Sequence, residues 1–203
     1  MKKSLLTFVC LCMTCFLMAQ DTARQRELGL VLYGFDHFGF SYKTGSAQSL
    51  WRFKTLFSSG STMKEESENK EIKYGSNAVG ISIGKEFRSK LMNNLEFRYG
   101  ADISFQYSIN KNQTNITTNP KSVFKNTDTR YTPGINAVIG LNYVLKDRFV
   151  IGAELLPYFS YYTGKSKNET SNDTNNSSIS SNISGFNYGL NISYVLISFA
   201  YRF

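Results

Sequence analysis

From about residue 26 onward, apolar and polar residues alternate with period two. The clearest stretch is Leu95 to Asn110, where Leu95, Phe97, Tyr99, Ala101, Ile103, Phe105, Tyr107 and Ile109 interleave with Glu96, Arg98, Gly100, Asp102, Ser104, Gln106, Ser108 and Asn110. Successive side chains of a strand point to opposite faces, so this pattern predicts a strand with one apolar and one polar side. Val79, Ile81, Ile83 and Phe87 repeat it against Gly80, Ser82, Gly84, Glu86 and Arg88, and Ile135 to Leu145 repeat it again. These runs exceed the five or six residues of an average strand and match the roughly nine to eleven that cross a bilayer.

The connections fall into two kinds. Short ones lie near 44–47, 89–94 and 146–148, and long polar ones near 64–74, 112–130 and 166–182. In the last, 13 of 17 residues are Ser, Thr or Asn, a composition unable to bury a core. The chain finishes on Val195, Ile197, Phe199, Tyr201 and Phe203 alternating with Tyr194, Leu196, Ser198, Ala200 and Arg202.

That ending, with Phe199, Tyr201 and Phe203 on one face, resembles the terminal insertion signal of Gram-negative outer-membrane β-barrels. With the alternation of the preceding strands, the chain is similar to small OmpA/OmpX-type barrels. The resemblance implies an all-β, transmembrane, antiparallel up-and-down barrel in the cell outer membrane. It also implies outer-membrane lipids, lipopolysaccharide and the barrel-insertion machinery as partners.

Parity sets the strand number. A periplasmic C-terminus and three external loops give strands near 184–203, 149–165, 131–146, 95–112, 75–88 and 49–63. A hairpin within 26–45, turning near Phe35-Asp36-His37, supplies two more. Eight strands result, with Leu28, Leu30, Leu32, Phe38, Phe40 and Tyr42 facing out.

An eight-stranded barrel has room for side chains but hardly for a channel, so its interior polar groups should satisfy one another. Pairing Arg88 with Glu96 across the turn sets Glu86 opposite Arg98, Ser82 opposite Asp102 and Phe87 opposite Phe97. Arg52, Lys54, Lys146, Glu154 and Arg202 are expected in the same lumenal network, because unpaired buried charges are costly. Gly80, Gly84, Gly100, Gly140 and Gly152 leave space either for a slim cavity or for charged side chains to fold across the bore. Lys85 falls on the lipid side near one end. Pro157 lacks a ladder donor, which predicts a bulge at 155–157.

Composition adds the compartment. Lys2-Lys3, an apolar run from Leu5 to Met18 and Ala19-Gln20 read as a signal peptide over residues 1–19, leaving 20–203 as the barrel domain. Cys10, Cys12 and Cys15 all lie in that leader, so neither a disulfide framework nor a thiolate metal site is expected. No later stretch of about twenty apolar residues offers a membrane helix. The formal charge of +8 is scattered, without the basic stripe of a nucleic-acid surface.

Catalytic chemistry is sparse. His37 is the one histidine, with Asp36 beside it, but adjacent residues in a turn point apart and a plain rim histidine is expected. No phosphate loop or HExxH pair occurs, and no cofactor or metal is expected. The expected role is a non-enzymatic barrel serving envelope structure or surface interaction through its loops. Lys64, Lys70 and Lys73 mix with Glu65, Glu66, Glu68 and Glu71 in the first loop. Lys111, Lys121, Lys125 and Arg130 lie in the second. An enzyme acting on envelope lipids and a narrow pore or ligand carrier are the alternatives.

Overall fold

The computed structural model describes residues 24–33, 37–118, 121–172, 175–190 and 195–203, with side chains undescribed at 37 and 58–61. The expected leader lies outside these residues. The described chain forms ten antiparallel strand segments: β1 Gln25–Tyr33, β2 His37–Gly45, β3 Ser49–Ser67, β4 Lys70–Met92, β5 Leu95–Ile116, β6 Ser122–Leu145, β7 Phe149–Leu155, β8 Pro157–Asn172, β9 Asn176–Leu190 and β10 Leu196–Arg202. Each strand from β1 to β6 pairs with the next, β6 pairs with β7, β7 with β10, and β10 with β1. This is a closed ring of eight strands. The ring seals at the C-terminus, where Arg26 N donates to Phe203 O (3.1 Å) and Phe203 N donates to Arg26 O (2.9 Å).

The apolar face points outward. Ile103 is 67% exposed and Ile81 61%, whereas Arg98 on the alternate face is 1% exposed. Apolar exposure on this scale requires a lipid surround. Aromatic rings mark both edges of the band, as at membrane interfaces. At one end Phe87 stacks on Tyr99 (5.6 Å) and Phe149 meets Tyr201 edge-on (5.3 Å). At the other Tyr107 packs on Tyr131 (5.3 Å) and Phe159 on Phe186 (5.7 Å). A band ~25 Å tall takes about ten residues of tilted strand, so β6, with 24 residues, continues well past it.

This corrects the expected long loops. The described residues of 64–74, 112–130 and 166–182 form ladders that run on from the barrel, as in Lys64↔Lys73, Gln113↔Lys125 and Lys167↔Ser180. Water lies on both faces there, so the period-two signal disappears while the backbone pairing continues. The short turns sit at the opposite end, the periplasmic side in outer-membrane barrels.

The expected β4–β5 register is off by two. Arg88 lies opposite Arg98, Gly84 opposite Asp102, Phe87 opposite Tyr99 and Ile83 opposite Ile103. The turn is only Asn93-Asn94, with an irregularity between Lys90 and Met92, rather than a six-residue connection. A two-residue shift preserves which face each side chain occupies. At Pro157 the strand breaks at Leu156, but the offset against β6 is unchanged from Ile139↔Leu155 to Asn136↔Tyr158. The offset changes instead on the other side, between Leu196↔Glu154 and Pro157↔Leu190.

Candidate functional site: a charged plug beneath an open lumen

The inward face of the periplasmic half carries an ionic cluster. Glu86, on β4, is met by Lys43 (2.9 Å), Arg52 (3.0 Å) and Arg88 (2.7 Å), with Arg98 at 3.8 Å. Arg52 reaches across the bore from β3 to Glu154 on β7 (2.7 Å) and contacts Asp102 on β5 (3.1 Å). Lys54 joins Asp102 (2.9 Å) to Glu154 (3.3 Å), and Arg98 approaches Glu154 at 3.4 Å. Toward the periplasmic rim the Arg88 guanidinium forks onto both oxygens of Glu27 (2.6 and 2.7 Å), and Arg202 bridges Glu27 (2.9 Å) and Glu96 (3.0 Å). Arg88 and Glu96, expected as a cross-strand pair, still touch diagonally at 3.5 Å.

The cluster thus joins six cations, Lys43, Arg52, Lys54, Arg88, Arg98 and Arg202, to five carboxylates, Glu27, Glu86, Glu96, Asp102 and Glu154. Two glycines make room for it. A Cβ on Gly84 would lie 2.2 Å from Asp102 Oδ1, and one on Gly152 would lie 2.8 Å from both Arg98 Nη2 and Asn142 Oδ1 and 2.5 Å from Ser198 Oγ.

Of the residues expected in the network, Arg52, Lys54, Glu86, Arg88, Glu96, Arg98, Asp102, Glu154 and Arg202 meet there. Lys146 does not. It occupies the exposed β6–β7 turn with φ 48°, followed by Asp147 at φ 58°, so the strand and its alternation have already ended. Two members were missed, Glu27 and Lys43, although the outward Leu28 and Tyr42 beside them imply that they face inward. Phe199, Tyr201 and Phe203 face outward on the terminal strand. Lys85, also outward, places its amine 4.9 Å over the Trp51 ring.

Above the plug the lumen opens into a cavity of about 430 Å³ with Lys54 at its floor. Tyr33, Gln106, Asn136, Tyr158 and Tyr162 line it, and so does Arg130. Arg130 was expected on an external loop, but the inward face of β6 holds it at the barrel wall.

The model of the OmpA-OmpF-like porin family matches residues 64–192. The chain belongs to this family. It is therefore an outer-membrane, porin-like β-barrel protein, consistent with its lipid-facing apolar band. Among solved structures it is similar to a major outer membrane protein from Thermus thermophilus, with 12% identity and a TM-score of 0.46 over 90% of this chain and 100% of that one. No curated protein matches the chain.

Of the catalytic candidate, only the backbone position is described. His37 opens β2 opposite Tyr33 and Ser58, while Asp36 and the rest of the expected turn lie outside the described residues. The external hairpins hold their own ion pairs. Glu71 accepts from Lys64 (3.0 Å), Lys73 (3.1 Å) and Asn115 (2.7 Å), which together pull its pKa down to about 2. Lys167 pairs with Glu169 and lowers the pKa of that carboxyl.

Proposed function

We propose that this barrel is non-enzymatic and non-conducting, and that it serves the envelope through the polar sheet it raises above the membrane. The observation that carries this reading is the cross-bore plug. Glu86 and Asp102 are at most 1% exposed, and the Arg52 contact to Glu154 spans opposite walls. Every carboxylate of the plug is engaged by a cation, which leaves none of them as a free acid or base. A hydrated ion would have to displace several desolvated pairs at once to pass.

The raised sheet supports a surface role. Its β9 edge, Asn176–Leu190, contains no charge and no proline, and among the described strands it pairs with β8 alone. Unprotected edges of this kind are templates for an extended partner segment. Lys70, Lys111 and Lys121 on the neighbouring hairpins suit lipopolysaccharide phosphates. Planar-bilayer recording tests the closed state. Wild type should show no current steps, and an Arg52→Ala/Glu154→Ala variant should open some. Porin-sized steps from wild type would overturn the proposal.

A further inference from the structure

The cavity above the plug has a composition of its own. It contains no carboxylate among its lining residues, two cations (Lys54 and Arg130), three tyrosines (Tyr33, Tyr158 and Tyr162) and the side-chain amides of Gln106, Asn136 and Asn187. Its volume of about 430 Å³ falls in the range of roughly 300–1,000 Å³ typical of small-molecule sites. The floor, which includes that same Lys54, carries six cations against five carboxylates, an excess of one positive charge. Lys54 is committed to Asp102 and Glu154. Arg130 is less engaged, because its Nη2 meets Asp128 at 3.2 Å while its Nε is buried without a hydrogen-bond partner. The guanidinium lies 5.3 Å over the Tyr162 ring, which holds it against the wall.

We infer that this upper lumen is a binding site for a small anionic sugar. Flat tyrosine rings suit the faces of a pyranose, and amides and hydroxyls such as Gln106, Asn136 and Ser160 suit its vicinal hydroxyl groups. Arg130 supplies the charge-assisted hydrogen bond to the carboxylate or phosphate. The space has a structural cause. Gly80 contributes no side chain to the inner wall, and a Cβ placed there meets nothing closer than 3.5 Å. A side chain at this position starts in ordinary van der Waals contact and points toward the cavity that Gly80 lines. The site lies above the plug, so it binds from outside and requires no conduction.

The test is calorimetric titration of the full barrel, purified from outer membranes, with glucuronate, glucose 6-phosphate, glucose, acetate and inorganic phosphate. The two acidic sugars should bind with dissociation constants of about 1 mM or tighter, ahead of glucose and ahead of both simple anions. Arg130→Gln should weaken the acidic sugars by about tenfold or more, the loss of one charge-assisted hydrogen bond, and leave glucose unchanged. Gly80→Phe should abolish binding while retaining heat-modifiable gel mobility, which shows that it still folds. Absence of binding by either acidic sugar, equal binding by acetate or phosphate, or full binding by Gly80→Phe would each overturn the inference.

Discussion

Replacing Glu86 with alanine removes the carboxylate on which three cations converge at 2.7 to 3.0 Å. The plug then holds six cations against four carboxylates, so its excess charge rises from one to two in a site where Glu86 is 0% exposed. Breaking one buried pair by deleting a partner costs about 3–5 kcal/mol, because the remaining charge stays desolvated. Each 1.4 kcal/mol is tenfold, so the folding constant should fall by about two to three and a half decades. The single tryptophan, Trp51, sits beside Arg52 on the lipid-facing side of β3 and reports unfolding by its emission. Urea unfolding in phosphatidylcholine vesicles should show Glu86→Ala destabilised by that amount and Glu86→Gln by less. Glu169→Ala, which removes only an exposed external pair, should leave the midpoint in place. A Glu86→Ala midpoint equal to wild type would mean that water already reaches the plug and that its charges are not buried partners.

The Glu71 carboxyl, with its pKa lowered to about 2, stabilises the β3–β4 hairpin tip fully above its ordinary value of 4.5. That contribution is lost as pH falls through about 2; carbon-detected NMR should place the titration there, and a midpoint near 4.5 would refute the contact. Gly152→Leu should block assembly, since its side chain would enter the space of Arg98, Asn142 and Ser198, whereas Gly80→Ala should assemble normally. Heat-modifiable mobility reads both. Lys85→Ala removes the amine over Trp51 and should shift the folded-state emission, with a stability loss of no more than about 1 kcal/mol.

The faces of the barrel were legible because lipid outside and packed charge inside force strict alternation, as in Leu95 to Asn110. The partners were not. The β4–β5 register depends on whether the turn uses two residues or six, and Asn93-Asn94 offers no apolar cue. Contacts such as Arg52 to Glu154, 102 positions apart, depend on the stagger of the whole ring. Pattern reading therefore found the members of the plug better than it found their pairs. It also placed Lys146 inside, by carrying the alternation one residue past Leu145 into the short connection at 146–148, where the strand has already ended. Glu27 and Lys43 follow the same alternation, inward beside the outward Leu28 and Tyr42. The external hairpins were opaque for a physical reason. A ladder of Ser, Thr and Asn with water on both faces has the composition of a loop.

The most direct test of a lipid-facing barrel closed by charge beneath an open lumen is a nitroxide scan along β6, with oxygen and a water-soluble nickel chelate as colliders. Labels at Ile135, Ala137, Ile139 and Leu141 should collide with oxygen, labels at Thr132 and Asn136 with the chelate, and a label at Val138, 1% exposed just below the cavity, with neither. Chelate collisions continuing past Val138 to Asn142 would show an open bore, and oxygen collisions at the even-numbered positions would show the faces reversed. Either result would contradict the account.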